Sequence, residues 1–211
     1  MGKLYKKIFM SIGLTVVIGC SRPVPTAQDP SSIDVSRDPV QIRVKHMPSI
    51  KIKTDDAEYT LTPMAKYEIS ALVASRKNYS GMWTAELAPV DLALVWGKLA
   101  DPEYDKFITY SQSNRWYYYR YKAGSPFDNN YVIRHSSNHH IIPASENILK
   151  AVKTLRSEDH IYLEGYLVNV RGTYRGHKVW WNTSLSRSDT GNGACEVFYV
   201  KKVKIDGNVY E

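Results

Sequence analysis

The stretch Glu58-Tyr59-Thr60-Leu61-Thr62, with its continuation Tyr67-Glu68-Ile69-Ser70-Ala71-Leu72-Val73, decides the fold class. Apolar and polar residues alternate with a period of two, which sets apolar side chains on one face of a strand and leaves the other wet. The same period runs outward toward the N-terminus. Ile50 and Ile52 alternate with Lys51 and Lys53, and Ile42 and Val44 with Gln41, Arg43 and Lys45. Met47-Pro48-Ser49, Thr54-Asp55-Asp56 and Thr62-Pro63 break the runs, so the pattern predicts successive short antiparallel strands.

Toward the C-terminus the pattern changes twice. Pro89 to Trp96 reads as a helix, with Pro in the first turn, Asp91 behind it and Gly97 at the C-cap position. Ser145 to Arg156 reads as a second helix, capped by Ser145, with Ile148, Leu149, Val152 and Leu155 as its apolar stripe. Further strands are expected at Phe107 to Ser111 and Trp116 to Tyr121 around a Ser113-Asn114 turn, from Ile161 to Leu167, at His177 to Trp181, and from Cys195 to Ile205. Gly165 in mid-strand points to a bend, and the phase slip at Lys201-Lys202 to a bulge. The expectation is a mainly β, α+β domain with two short helices. It would form a small, partly open antiparallel barrel, OB-like or SH3-like, or else a sandwich.

The 211 residues are 43% hydrophobic and 23% charged, which excludes a disordered or multi-spanning membrane chain. Lys3, Lys6 and Lys7 precede an apolar run from Ile8 to Ile18, which is short for crossing a ~30 Å hydrocarbon core and has the form of a signal peptide. Its ending, Val17-Ile18-Gly19-Cys20, resembles the lipobox of bacterial prolipoproteins. That resemblance implies cleavage before Cys20 and acylation of Cys20. Ser21, standing where Asp would retain a lipoprotein in the inner membrane, implies the outer membrane, facing the periplasm. The division expected is a signal peptide over 1–19, a lipidated Cys and flexible tether over 20–39, and one β-rich domain over 40–211. Pro23, Pro25, Pro30 and Pro39 among polar residues give the tether its character. Without the three early lysines the formal charge falls from +7 to +4, which is no nucleic-acid footprint. Segments such as Leu87 to Gly97 and Asn138 to Ala144 are also similar to parts of bacterial envelope proteins that have no assigned activity, so no catalytic residues follow from them.

With Cys20 acylated, Cys195 has no partner for a disulfide and reads as a buried thiol. His135, His139 and His140 form the densest cluster of chemically capable side chains. As strand residues, His135 and His139 would share a face and His140 the other. A metal site would then need Asp189, Glu196 or His177 as a further ligand, and none is expected. Asp189-Thr190-Gly191 matches the tripeptide of aspartic proteases, but its polar flanks and the second glycine, Gly193, favour a tight turn. Arg115 to Lys122 interleaves bases with Trp116, Tyr117, Tyr119 and other rings, a surface that suits stacking on single-stranded nucleic acid or equally on sugar rings, or else a strand whose two faces both meet protein. A lipid-tethered envelope protein favours glycan or protein over nucleic acid. Only the loop Lys122 to Val132 joins it to the histidines, so the two segments should lie near each other. No phosphate-binding glycine motif or G-x-S-x-G elbow occurs.

The reading is an envelope lipoprotein that binds a protein or glycan partner through Trp116, Tyr117, Tyr119, His139 and His140. It carries no cofactor, and the lipid bilayer is its other partner through Cys20. The alternative is a hydrolase working through His135, His139 and His140.

Overall fold

The computed structural model describes residues 22–189, 191 and 193–211; the expected signal peptide, Cys20, Thr190 and Asn192 lie outside them. In chain order the elements are β1 (Ala27–Gln28), β2 (Val40–Arg43), β3 (Ile50–Lys53), β4 (Ala57–Asn78), α1 (Trp83–Leu87) and β5 (Val90–Val95). Two 3-10 turns, Gly97–Ala100 and Asp105–Phe107, lead to β6 (Ile108–Ser113), β7 (Trp116–Tyr121), α2 (Asn129–His135), β8 (Ser136–Pro143) and α3 (Glu146–Thr154). The chain ends with β9 (His160–Tyr174), β10 (His177–Trp181), β11 (Glu196–Ile205) and β12 (Asn208–Tyr210).

The pairings make a circuit. β4 pairs with β5, β5 with β8, β8 with β11 in parallel, β11 with β9, and β9 with β4. An antiparallel meander of three strands, a helix, then two more strands of which the last runs parallel to the third is the connectivity of an OB-type barrel. Here α3 is the helix between the third and fourth strands. The barrel is partly open, because β8 and β11 pair only from His139 and Glu196 onward. The fold is therefore mainly β and α+β.

The interior explains the alternation. Tyr67, Ile69, Ala71 and Val73 of β4 pack with Leu92, Leu94, Ile141, Leu163, Phe198 and Val203, all buried. Ser145 caps α3 by accepting a hydrogen bond from Ile148 N, and Ile148, Ala151, Val152 and Leu155 close one end of the barrel. A second cluster, including Tyr59, Leu61, Val168 and Val170, forms where β4 and β9 extend past the barrel.

Four expectations need correction. Val90–Val95 is a strand, not a helix. All six residues are buried, because one face meets the barrel interior and the other is roofed by the β6–β7 hairpin, so the polar half of a strand pattern is missing. Thr62-Pro63 does not end a strand. β4 runs on through a bulge at Met64, which accommodates a proline without an N–H. Among the described residues there are three α-helices: α1 lies in a stretch for which no element was expected, and α2 begins in the stretch that reads as loop. Finally, residues 22–39 do not hang free. Val24 is bonded both ways to Asn147 (2.8 and 2.9 Å), Ala27–Gln28 pairs with β12, and Trp96 Nε1 donates to Asp38 Oδ1 at 3.0 Å. The bulge expected at Lys201-Lys202 forms, with β11 shifting register between Val200 and Lys202. At Gly165, β9 keeps its register with β4, and the glycine packs against the Tyr199 backbone. Among the described residues no helix is long and apolar enough to cross a membrane.

Candidate functional site

A cavity of about 180 Å³ opens where the barrel is unsealed, beside the first residues of β8 and β11. Its walls come from β7, α2 through Ile133, the start of β8, the segment between β10 and β11, and the start of β11. Ser136 and Ser137 begin β8, Cys195 and Glu196 lead into β11, Trp116, Tyr117 and Tyr119 project from β7, and Arg187 comes from the long segment between β10 and β11. Pockets for drug-sized ligands run ~300–1,000 Å³, so this one fits a single small ring.

Its floor is an ion pair whose carboxylate is buried and whose guanidinium is partly exposed. Arg187 Nη1 lies 2.5 Å from Glu196 Oε1, and Ser137 Oγ donates to the other carboxylate oxygen. Glu196 is 2% exposed, and burial holds its pKa above the usual carboxylate range even with Arg187 beside it. The Arg187 guanidinium in turn lies over the rings of Tyr67 (5.1 Å) and Trp96 (5.7 Å) and donates to Gln41 at 3.3 Å. Apart from Asp189, which also lines the cavity, the other walls carry no charged side chain. Tyr117 OH and Ser136 Oγ share a hydrogen bond at 3.2 Å, and burial raises the tyrosine to about 12. Burial also pushes the Cys195 thiol up to about 12, so it stays protonated and a poor nucleophile near neutral pH.

The rings of β7 are held in place by a second polar layer on the outer face of the barrel. Arg115, in the hairpin turn, inserts between Tyr79 (4.0 Å) and Trp181 (5.7 Å) and reaches Asp91 Oδ1 at 2.7 Å. Asn138 donates to Arg115 O and accepts from Gln112. Asp91 Oδ2, Arg115 Nε and Gln112 Oε1 are buried without a hydrogen-bond partner in this layer. The Arg115–Tyr121 strand and the Ser136–His140 stretch are thus neighbours, as the short loop between them implied.

The three histidines do not meet. His135 ends α2, stacks on Tyr131 at 3.9 Å and has Nδ1 2.9 Å from Tyr131 O. His139 points into the barrel interior, fully buried, with Nε2 3.2 Å from Tyr67 OH. Desolvation lowers its pKa to about 3, so it is neutral. His140 takes the outer face, 4.5 Å from the Trp181 ring, with Nδ1 2.9 Å from Asp91 Oδ1. Helix-to-strand change at Ser136 and then the strand alternation send the imidazoles in three directions. No group of three or more metal-ligating side chains occurs among the described residues. Of the suggested extra ligands, Glu196 is committed to Arg187, Asp189 accepts from Ser184 Oγ at 2.6 Å, and His177 lies on β10. Gly191 and Gly193 both have positive φ, in keeping with a turn after Asp189.

Of the residues the sequence favoured for binding, Trp116, Tyr117 and Tyr119 line the cavity, and His139 and His140 do not. Ser137, Arg187 and Glu196 were missed in this role. The one available signal was a charged residue, Glu196, standing directly before a β-branched and aromatic run, where alternation sends it inward beside Phe198.

Fold and site together define a class: a mainly β, partly open barrel with a small cavity at its unsealed seam. No family model, curated protein or solved structure matches the chain.

Proposed function

We propose that this protein is a binding module of the bacterial envelope, held to a membrane by an acyl group on Cys20. Its ligand is a small, polar, ring-bearing unit such as one sugar of a glycan chain. The observation that carries this reading is the composition of the cavity. Aromatic faces at Trp116, Tyr117 and Tyr119 stand opposite hydroxyls and a self-neutralised Arg187–Glu196 pair. Rings on one wall suit the CH-rich face of a sugar, and the hydroxyls and the ion pair suit its edge. Trp116 is 36% exposed, so the aromatic wall reaches the mouth and offers a neighbouring sugar of the same chain a place to stack.

The separation of the histidines and the protonated state of Cys195 weigh against a nucleophilic or metal-assisted hydrolase. Titration of oligosaccharide fragments of envelope glycans, followed by amide chemical shifts, tests the proposal. Shifts should appear in β7, at Ser136 and Ser137 and around Glu196, and Tyr119→Ala should abolish them. Perturbations confined to other surfaces would sink the reading. Cleavage of the added glycan that is lost in Glu196→Gln would replace binding by hydrolysis. The anchor is tested separately: Cys20→Ala should end incorporation of a palmitate analogue and release the protein from membranes.

A further inference from the structure

We infer that the N-terminal strap fixes the domain so that the cavity faces away from the anchoring bilayer, and the pole formed by α3 and β12 faces the lipid headgroups. The inference rests on acylation of Cys20 as proposed above. Its basis is where the chain first grips the domain. Val24 N donates to Asn147 Oδ1 at 2.8 Å, Asn147 Nδ2 returns a bond to Val24 O at 2.9 Å, and Thr26 N donates to Val209 O at 2.8 Å. Asn147 lies in the first turn of α3 and its amide also reaches Glu211 O at 3.3 Å, so Val24 and the C-terminal residue meet at this pole.

From there the strap climbs the barrel. The buried ammonium of Lys204 holds Asp29 at 2.7 Å and Ser31 O at 2.8 Å. Gly97 N then donates to Val35 O at 2.8 Å, and Trp96 Nε1 to Asp38 Oδ1. Val95 is the register partner of Ser136, and the Arg187 guanidinium lies over Trp96, so the strap ends at the cavity pole. β8 connects the same two poles, with Ser137 at the cavity and Pro143 at the turn into α3. Six residue steps along it span ~20 Å. Four residue steps lead from Cys20 to Val24, a reach of at most ~14 Å. The anchor therefore holds the α3 pole close to the headgroups, and the cavity stands on the far side of the barrel, out of reach of that bilayer's own lipids. The ligand is accordingly borne by something across the gap, a wall or matrix glycan, and not by a lipid of the same membrane.

The test uses the full lipidated protein in nanodiscs containing spin-labelled lipid. Amide peaks of α3, β12 and residues 24–26 should lose intensity, while those of Ser137, Arg187 and Glu196 keep it. A Gly-Ser insertion of ~12 residues after Ser21, which lengthens the free tether, should erase the contrast between poles. Strongest loss at the cavity pole, or uniform loss over all faces, overturns the inference while leaving the anchor intact. Failure of the protein to associate with nanodiscs at all overturns the anchor, and this inference with it.

Discussion

Replacing Gly165 by alanine sets two physical effects against each other with opposite signs. Gly165 does not have positive φ, so an alanine could adopt its backbone conformation, and removing a glycine from a strand interior ordinarily gains ~0.5–1 kcal/mol. The structure predicts a loss instead. A Cβ built on Gly165 falls 2.0 Å from Tyr199 O, 3.0 Å from Tyr199 C and 3.2 Å from Phe198 Cε2. Real Cβ contacts stop near 3.0 Å, so β9 and β11 would have to part by about 1 Å. Gly165 is also flanked by β4, through its pairing with Tyr67, and has little freedom to retreat. Overpacking of this kind costs ~1–3 kcal/mol, and each neighbouring ladder hydrogen bond weakened adds ~1 kcal/mol. A net loss of ~3 kcal/mol, or ~6–12 °C in Tm for a domain of this size, is the expected outcome. Urea unfolding monitored by tryptophan fluorescence measures it. Gly176→Ala is the control, with no atom within 4 Å of its Cβ but φ at +80°, and should cost only ~1–2 kcal/mol. If Gly165→Ala is as stable as the parent, or costs less than Gly176→Ala, the close approach of β9 and β11 is not what requires the glycine.

Three further outcomes follow from the core and the polar layers. Leu155→Ala should cost ~2–5 kcal/mol in the same assay, since Leu155 is fully buried at the capped end of the barrel, and Leu149→Ala should cost less because Leu149 is only partly buried. Arg115→Met should lose ~3–5 kcal/mol by leaving the fully buried Asp91 carboxylate without its guanidinium. Adding Asp91→Leu should recover much of that loss, and a double mutant no better than the single would refute the pairing. His139 has its pKa lowered from 6.5 to about 3, so the folded state binds fewer protons than the unfolded chain between those values. Its contribution to stability is complete above pH 6.5 and is lost as pH falls through the window toward 3. Its ring proton shifts should stay flat from neutral pH down to about 4, and a titration near 6.5 would place the imidazole in water.

The sequence alone determined those features in which local pattern and final environment agree. Period-two alternation gave β4, β9 and the body of β11, because in each of these one face meets the barrel interior. Ser145 and the 3.6-residue stripe behind it gave α3, and Lys201-Lys202 marked the bulge, since both signals are local. What only the tertiary structure decided are features whose partners lie far away in sequence. Val90–Val95 reads as a helix until the β6–β7 hairpin covers its second face and makes a strand buried on both sides. The polar strap from Val24 to Asp38 reads as a tether until Asn147, Val209 and Lys204 supply its hydrogen-bond partners from more than a hundred residues on. The cavity divides along the same line. The aromatics of β7 were legible because they are adjacent in the chain, whereas the Arg187–Glu196 pair with Ser137 was not, because that geometry exists only where β8 and β11 come together in parallel. The histidines, nearest of all in sequence, end up on different faces, since a strand alternates its side chains however similar they are.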